Sequence, residues 1–103
     1  MARANIPEQA MFKRILKQMR EKVRTRQYVM TLHAEEEMDD DNLSIFDIES
    51  GILTGEIIEC QKDTLTADLK YLVRGQTLLG DGVVVVGKLS PTGRLVIITV
   101  YRE

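Results

Sequence analysis

VVVVGKLSPTGRLVIITVY, residues 83–101, is the stretch that decides the fold of this chain. Two runs of β-branched and other apolar residues flank Ser90-Pro91-Thr92-Gly93, whose composition is typical of a turn. The pattern predicts an antiparallel hairpin. Because both strands are nearly continuously apolar, we expect the hairpin at the centre of a sheet, covered on both faces or on one face plus a partner.

Two further β-rich runs precede the hairpin, at residues 56–60 and 69–74. Together the four runs predict an antiparallel four-stranded sheet. Helical patterns fill the first half of the chain, so the fold class is α+β, with N-terminal helices packed on one face of the sheet. A chain of 103 residues is long enough for one domain, which we place at residues 1–103.

The N-terminal segment, residues 1–26, is predicted to form a basic amphipathic helix. Its apolar residues recur at spacings of three and four, which predicts a helix from about residue 6 to residue 25, and they are Phe12, Ile15, Leu16, Met19 and Val23. Lysines and arginines occupy the opposite side. That cationic side is typical of a solvated surface, although it could also meet phosphate.

The acidic half of the chain carries clear helix signals. Residues 28–30 could form a short edge strand, and Thr31 is placed to cap a helix that the aspartates at 39–41 would end. Ser44, followed by Asp47, forms a variant of the capping box at the start of the next helix. Gly55 is expected to end that helix.

Charge is strongly segregated along the sequence. Residues 1–30 carry a net charge of +6, residues 31–60 carry −10 and residues 61–103 carry +2, although the whole chain is only −2. The acidic run at residues 35–41 could attract a basic partner or the chain's own N-terminal helix, or could be a solvated helix end. A divalent-cation site on Glu35, Glu36 and Asp39 is a further hypothesis, but the run lacks the spacing and glycine of a calcium loop.

His33 is the single histidine of the chain. Imidazole titrates near neutrality, so His33 could act as a general base or hold a phosphate. Alternatively, it could serve the fold by a hydrogen bond to Glu36 or Glu37.

Lone Cys60 excludes an internal disulfide, and one cysteine with one histidine cannot supply the four ligands of a zinc site. We expect the thiol to behave as a small apolar side chain. No segment reaches the roughly 20 apolar residues that cross a bilayer, and no secretory leader is evident, so we expect a cytoplasmic protein that makes no membrane contact and uses no cofactor or metal.

Cations and a phenol near the ends of the later strands form a second candidate site. Lys70 and Arg74 share one face of their strand, and Leu95, Ile97, Thr99 and Tyr101 are expected to share a face of the last strand. If strand ends converge, Lys70, Arg74, Tyr101 and Arg102 would form a cationic patch with a phenol. Such a patch, with a base, has the groups needed to cleave RNA without metal.

Four motifs occur in a characteristic order, namely HAEEEM at residues 33–38, ILTGEIIE at 52–59, YLVRG at 71–75 and VIITVY at 96–101. In these motifs the chain resembles a family of small uncharacterised bacterial domains over residues 28–102, and that family in turn resembles RelE/ParE-type (MqsR-like) toxins. The chain departs from the pattern at Glu37 and Asp41, where many relatives carry Arg, and at Val83, near which many carry His.

The resemblance implies a RelE-like fold and a toxin of a type II toxin–antitoxin pair that acts as an mRNA endoribonuclease. It implies roles for His33 and Tyr101, which match the family histidine and the terminal tyrosine, and a zinc-finger antitoxin of the MqsA kind as partner. The cationic patch adds Arg74 as a third catalytic residue and Lys70 and Arg102 as substrate-binding residues. RNA and a second copy of the chain are further partners to consider. The alternative is a non-catalytic protein-interaction module, or a degenerate toxin that binds an antitoxin-like partner.

Overall fold

The computed structural model describes residues 6–103, which form three helices and five strands. The elements in chain order are α1 (Ile6–Arg24), β1 (Tyr28–Met30), α2 (Leu32–Asp40), α3 (Ile45–Thr54), β2 (Glu56–Lys62), β3 (Leu69–Gln76), β4 (Gly82–Leu89) and β5 (Leu95–Arg102). The α+β class is therefore confirmed, with the helices packed on the sheet. Part of the N-terminal segment, residues 1–5, lies outside the described residues.

The sheet has five strands instead of the four predicted, in the order β1-β5-β4-β3-β2. The additional strand is β1, which pairs in parallel with the start of β5, while all other neighbours are antiparallel. The hairpin of β4 and β5 is central, as its apolar sequence predicts. The short parallel pairing was missed in the strand count because each of residues 28–30 is 67 residues from its partner, and no local turn links them.

The helix boundaries follow their capping residues. Thr31 Oγ1 accepts a hydrogen bond from Ala34 N at the start of α2. Ser44 and Asp47 form the reciprocal capping box of α3, with each side chain accepting from the other's backbone N–H. Gly55 follows the last residue of α3, as predicted. These local signals fix where two of the three helices begin.

One face of the sheet is covered by helices, and we call it the covered face. The fully buried side chains of Ile52, Val73 and Val85 meet there. Helix α3 lies very close to the sheet, because a Cβ built on Gly75 would be 2.0 Å from the carbonyl oxygen of Gly51. Only glycine fits at this crossing of α3 and β3.

Helix α1 packs on α3 and on the sheet through its apolar stripe, where Leu16, Met19 and Val23 are buried. Arg20 reaches the carboxyl end of α3 and donates from Nη2 to the Gly55 oxygen at 2.8 Å and from Nε to the Ile52 oxygen at 3.3 Å. A guanidinium at this position satisfies carbonyls that a helix end leaves without intrahelical partners. One residue of the cationic side is thus part of the fold.

A β-bulge interrupts the pairing of β4 with β5. Val86 lies opposite Thr99 and Gly87 lies opposite Ile97, so Ile98 is an extra residue on β5. An extra residue in one strand reverses the alternation of side chains between the two faces beyond it.

The expectation that Leu95, Ile97, Thr99 and Tyr101 share one face is therefore wrong. Leu95 and Ile97 belong to the core on the covered face. Beyond the bulge, Tyr101 lies opposite Val84, which is buried but stands outside the core cluster. Because directly opposed residues point to the same side of a sheet, Tyr101 lies on the face away from the helices. We call this the open face.

Helix α2 lies against the edge of β5 that β1 leaves unpaired. The Glu37 carboxylate accepts from Val100 N at 3.2 Å, and the Asp41 carboxylate accepts from Arg102 N at 3.0 Å. Thr31 Oγ1 also donates to the Ile98 oxygen at 3.2 Å. Two acidic side chains thus supply acceptors that a neighbouring strand would otherwise provide, which protects a sheet edge. None of the helices among residues 6–103 has the length and apolar character required of a membrane span.

Candidate functional site

A row of opposed residues crosses the open face through three strands. Arg74 on β3 lies opposite Val84 on β4, and Val84 lies opposite Tyr101 on β5. Two strand spacings separate Arg74 from Tyr101, or about 10 Å between their Cα atoms. The two long side chains therefore stand on either side of a buried valine. The bulge at Ile98 creates this arrangement, because without it Tyr101 would lie on the covered face.

Both polar residues of the row are accessible. Tyr101 is 38% exposed, and Arg74 is exposed at the sheet surface. Arg74 Nε makes an ion pair with Glu103 Oε1 at 2.8 Å. A solvent-exposed pair of this kind exchanges partners at little cost, so the guanidinium can turn to a phosphate.

Lys70 lies on the same face as Arg74, toward the other end of β3. It borders a cavity of about 240 Å³ whose other walls include Lys88, Asp63, Asp68, Val96 and Ile98. Lys88 Nζ and Asp68 Oδ2 form an ion pair at 2.8 Å within this group. The hydrogen bond from Lys88 lowers the pKa of the Asp68 carboxyl below its ordinary value, so this carboxyl is ionised at neutral pH.

Asp63 holds the loop on one side of the cavity. Its Oδ1 accepts hydrogen bonds from Leu65 N at 2.8 Å and from Thr66 N at 3.2 Å. These backbone N–H groups lower the pKa of the Asp63 carboxyl. The loop that joins β2 to β3 therefore presents two charged carboxylates beside two lysines.

His33 is exposed in the first turn of α2, and its Nε2 lies 3.3 Å from Glu37 Oε1. A contact between His33 and Glu37 is what the structural alternative for this imidazole predicted. The same carboxylate oxygen accepts from the backbone of Val100, the residue before Tyr101. His33 is thus joined through Glu37 to the edge of β5, but nothing in the pairing places it in the row of Arg74 and Tyr101.

Arg102 is not part of the open face. It lies opposite Val83, a residue of the core on the covered face. Its guanidinium donates to the carbonyl oxygens of Asp41 at 2.7 Å and Asn42 at 3.2 Å, and to Asp81 Oδ2 at 3.3 Å. The expected patch of four residues is therefore reduced to Lys70, Arg74 and Tyr101.

Cys60 behaves as its setting predicts. The residue is half-buried and packs against the core. Burial raises the pKa of its thiol, while a hydrogen bond with Tyr71 opposes that shift. A thiol with a raised pKa is a weak nucleophile at neutral pH, which agrees with the expectation that Cys60 acts as a small apolar side chain.

The acidic run accepts hydrogen bonds from the edge of the sheet through Glu37 and Asp41. Among residues 6–103, no three side chains of His, Cys, Asp or Glu are grouped so that they could hold a metal ion, so Glu35, Glu36 and Asp39 do not assemble a site. Within the same residues, the ion pairs that form do not join α1 to α2. No ion pair therefore joins the basic helix to the acidic run within the described residues.

Sequence reasoning missed Lys88 and Asp68 at the cavity. Lys88 is the single charged residue in the run VVVVGKL. A lone cation in an apolar strand is unusual, and this signal could have identified Lys88 as a candidate. Asp68 gives no such signal, because its contact with Lys88 spans 20 residues and depends on the path of a loop.

A comparison with models of protein families gives a match over most of the chain. The model of a family described as a domain of unknown function, DUF4258, matches residues 30–102. The match begins at the end of β1 and includes α2, α3 and strands β2 to β5, so it contains the row of Arg74 and Tyr101 and the neighbouring cavity. No curated protein and no solved structure matches the chain.

Proposed function

The chain belongs to the DUF4258 family, and we propose that it is a cytoplasmic, metal-independent endoribonuclease of the RelE type, the toxin of a type II toxin–antitoxin pair. The observation that carries this proposal is the common row of Arg74 and Tyr101 on the open face. A cation and a phenol on either side of an apolar residue suit a phosphodiester that lies between them, over Val84 of β4.

The proposed reaction is an internal transfer within RNA. A base removes the proton of the 2′-hydroxyl, the 2′-oxygen attacks phosphorus, and the bond from phosphorus to the 5′-oxygen breaks. Arg74 stabilises the charge that grows on the phosphate, and the Tyr101 phenol gives its proton to the leaving 5′-oxygen. The products are a 2′,3′-cyclic phosphate and a free 5′-hydroxyl, and no other reactant is needed.

His33 is kept from the sequence as the proposed base; it lies outside the row of Arg74 and Tyr101 and is joined through Glu37 to the backbone of Val100, next to Tyr101. Lys70 is proposed to bind a neighbouring part of the RNA. Arg102 is assigned to the fold because three of its nitrogens already hold α2 and the loop before β4. The proposal thus keeps four of the five residues singled out in the sequence.

RNA cleavage in the presence of EDTA tests the proposal. Tyr101→Phe removes only the phenol oxygen and is expected to lower the rate by about 10²–10⁴-fold. Arg74→Gln is expected to lower it by about 10²–10³-fold. Arg94→Gln is a matched control, because Arg94 is exposed in the turn before β5, at the opposite end of that strand from Tyr101.

Three results would contradict the proposal. Wild-type protein that leaves single-stranded RNA intact at high concentration excludes the activity. Equal rates for Tyr101→Phe and the wild type remove the phenol from the mechanism. Equal rates for His33→Gln and the wild type remove the imidazole from the mechanism.

A second candidate function, a protein-interaction module, is favoured by an exposed apolar cluster at the outer side of α3. Phe46 is 56% exposed, Leu78 is 66% exposed, and both border a cavity of about 270 Å³ together with Leu53. Exposed apolar clusters of this kind mark interaction surfaces. The partner implied by the resemblance is a zinc-finger antitoxin.

Co-purification separates the two functions. Phe46→Ser is expected to release a zinc-finger antitoxin encoded beside this chain while RNA cleavage remains. Capture that is unchanged in Phe46→Ser would exclude this surface. Stable capture together with no RNA cleavage by the free protein would favour the interaction module over the nuclease.

A further inference from the structure

The cavity beside Lys70 combines three kinds of wall. Val96 and Ile98 give it an apolar side, two lysines offer N–H donors, and Asp63 and Asp68 offer carboxylate acceptors. A cavity lined only by cations would suit a phosphate. Here two ionised carboxylates would repel a phosphate, so the mixture favours a flat ligand whose edge carries both acceptors and donors.

The ion pair of Lys88 and Asp68 sets a donor and an acceptor side by side, with Nζ and Oδ2 2.8 Å apart. Both side chains remain accessible, at 32% and 45% exposure. An ammonium has three N–H donors and a carboxylate has two acceptor oxygens. Each partner therefore keeps capacity for a ligand after the pair has formed.

We propose that this cavity is a base-binding subsite for single-stranded RNA and that it takes guanine. The inference rests on the proposed function and adds a substrate preference to it. On its Watson–Crick edge guanine carries the O6 acceptor, to which a lysine can donate, beside the N1–H and amino donors, which the two oxygens of an aspartate can accept. Unpaired RNA bases are commonly recognised by hydrogen bonds along these edges.

The position of the cavity assigns it to a flanking nucleotide. Lys88 is four residues from Val84 along β4, which is about 13 Å in a strand. Val84 marks the row of Arg74 and Tyr101. A single strand of RNA laid along β4 would therefore place one base in the cavity while the phosphodiester of a nearby nucleotide meets the row.

Titration with free nucleosides tests the subsite apart from cleavage. Guanosine is expected to shift the backbone amide signals of the segments around Asp68 and Lys88 in NMR spectra, and adenosine, cytidine and uridine are expected to shift them far less. Asp68→Asn and Lys88→Met are each expected to weaken guanosine binding by about 10-fold or more, the value of one well-formed contact to a base. Lys88→Arg keeps the donor and is expected to retain binding.

Asp81→Asn is the matched control, because Asp81 forms an ion pair with Arg102, outside the cavity and away from the open face. Intact amide spectra of the variants show that their folds are unchanged. If guanosine causes no shifts, or all four nucleosides cause equal shifts, the subsite is excluded even when the protein cleaves RNA. Selective guanosine binding without any RNA cleavage supports the subsite and removes the nuclease proposal.

Discussion

The two faces of the sheet are built on different principles. On the covered face, side chains such as Ile52 and Val85 are fully buried, and the backbone of α3 touches β3 at Gly75. On the open face, the polar residues are partly exposed and held by ion pairs such as that of Arg74 with Glu103. Close packing contributes far more to stability than exposed ion pairs do. The polar residues of the open face therefore contribute little to stability, and their side chains can exchange partners at little cost.

The strongest test of this contrast is Gly75→Ala. A methyl group would lie 2.0 Å from the Gly51 carbonyl oxygen, so α3 would have to move away from the sheet. We expect a loss of about 3 kcal/mol or more in the free energy of unfolding, measured by chemical denaturation. Gly82→Ala is the control. The added methyl group would lie 3.4 Å from the Glu103 Cβ, its nearest neighbour, so this substitution should change the free energy of unfolding little.

A loss below about 1 kcal/mol for Gly75→Ala would mean that the close crossing of α3 and β3 is not a determinant of the fold. A large loss for Gly82→Ala would show that the open face is packed as tightly as the covered one.

Arg20→Met tests how much the contact between α1 and the end of α3 contributes to the stability of the covered face. The methionine keeps the apolar stem but removes the donors to the Ile52 and Gly55 oxygens. Hydrogen bonds from charged groups are worth about 1.5–3 kcal/mol, so we expect a loss of about 2 kcal/mol in denaturation. Lys17→Met on the exposed side of α1 should change stability by less than about 0.5 kcal/mol. Equal effects of the two variants would contradict the capping role.

The elements that sequence predicts well are those with local signals. The capping box of Ser44 and Asp47, the apolar stripe of α1 and the hairpin turn with Gly93 at positive φ all depend on residues close in sequence. Each signal reflects a hydrogen bond or a backbone preference that the residue carries into any fold. For this reason the helices and the central hairpin are recovered within one or two residues.

The sequence does not reveal the register in which β5 pairs with β4. The run of apolar residues in β5 has no alternation to mark Ile98 as a bulge, so the face of Tyr101 is predicted wrongly. The two carbonyl oxygens that bind the Arg102 guanidinium, and the carboxylates that bind the β5 edge, lie about 60 residues away. The candidate site is therefore found by residue type, but its geometry depends on contacts that only the folded chain defines.

A hydrogen bond on the covered face is expected to make the free energy of unfolding depend on pH in the alkaline range. Tyr28 donates a hydrogen bond to the Glu49 carboxylate of α3. Burial first, and then this hydrogen bond, raises the pKa of Tyr28 to about 12 from an ordinary value of 10.0. Since the folded state holds this proton more tightly than the unfolded state, its contribution is complete below pH 10 and declines as the pH rises toward 12.

We expect Tyr28→Phe to lower stability at pH 8 by about 1 kcal/mol, the value of one hydrogen bond, and to flatten the decline between pH 10 and pH 12. Denaturation at a series of pH values measures both effects. Tyr101→Phe on the open face serves as the control and should retain the decline of the wild type. A wild-type curve that is flat over this range would show that the phenol of Tyr28 titrates alike in both states.

The smallest expected change in stability is also the most informative. Arg74→Met removes the ion pair with Glu103 and should alter the free energy of unfolding by less than about 0.5 kcal/mol, because the pair is exposed. Glu103→Gln breaks the same pair and should be equally mild. The two variants are expected to differ in their affinity for RNA. Arg74→Met should weaken RNA binding, whereas Glu103→Gln should strengthen it because the Arg74 guanidinium is released from its ion pair. If Arg74→Met instead destabilises the protein by more than about 1.5 kcal/mol, the open face is part of the structural core, and the contrast from which its function is inferred does not hold.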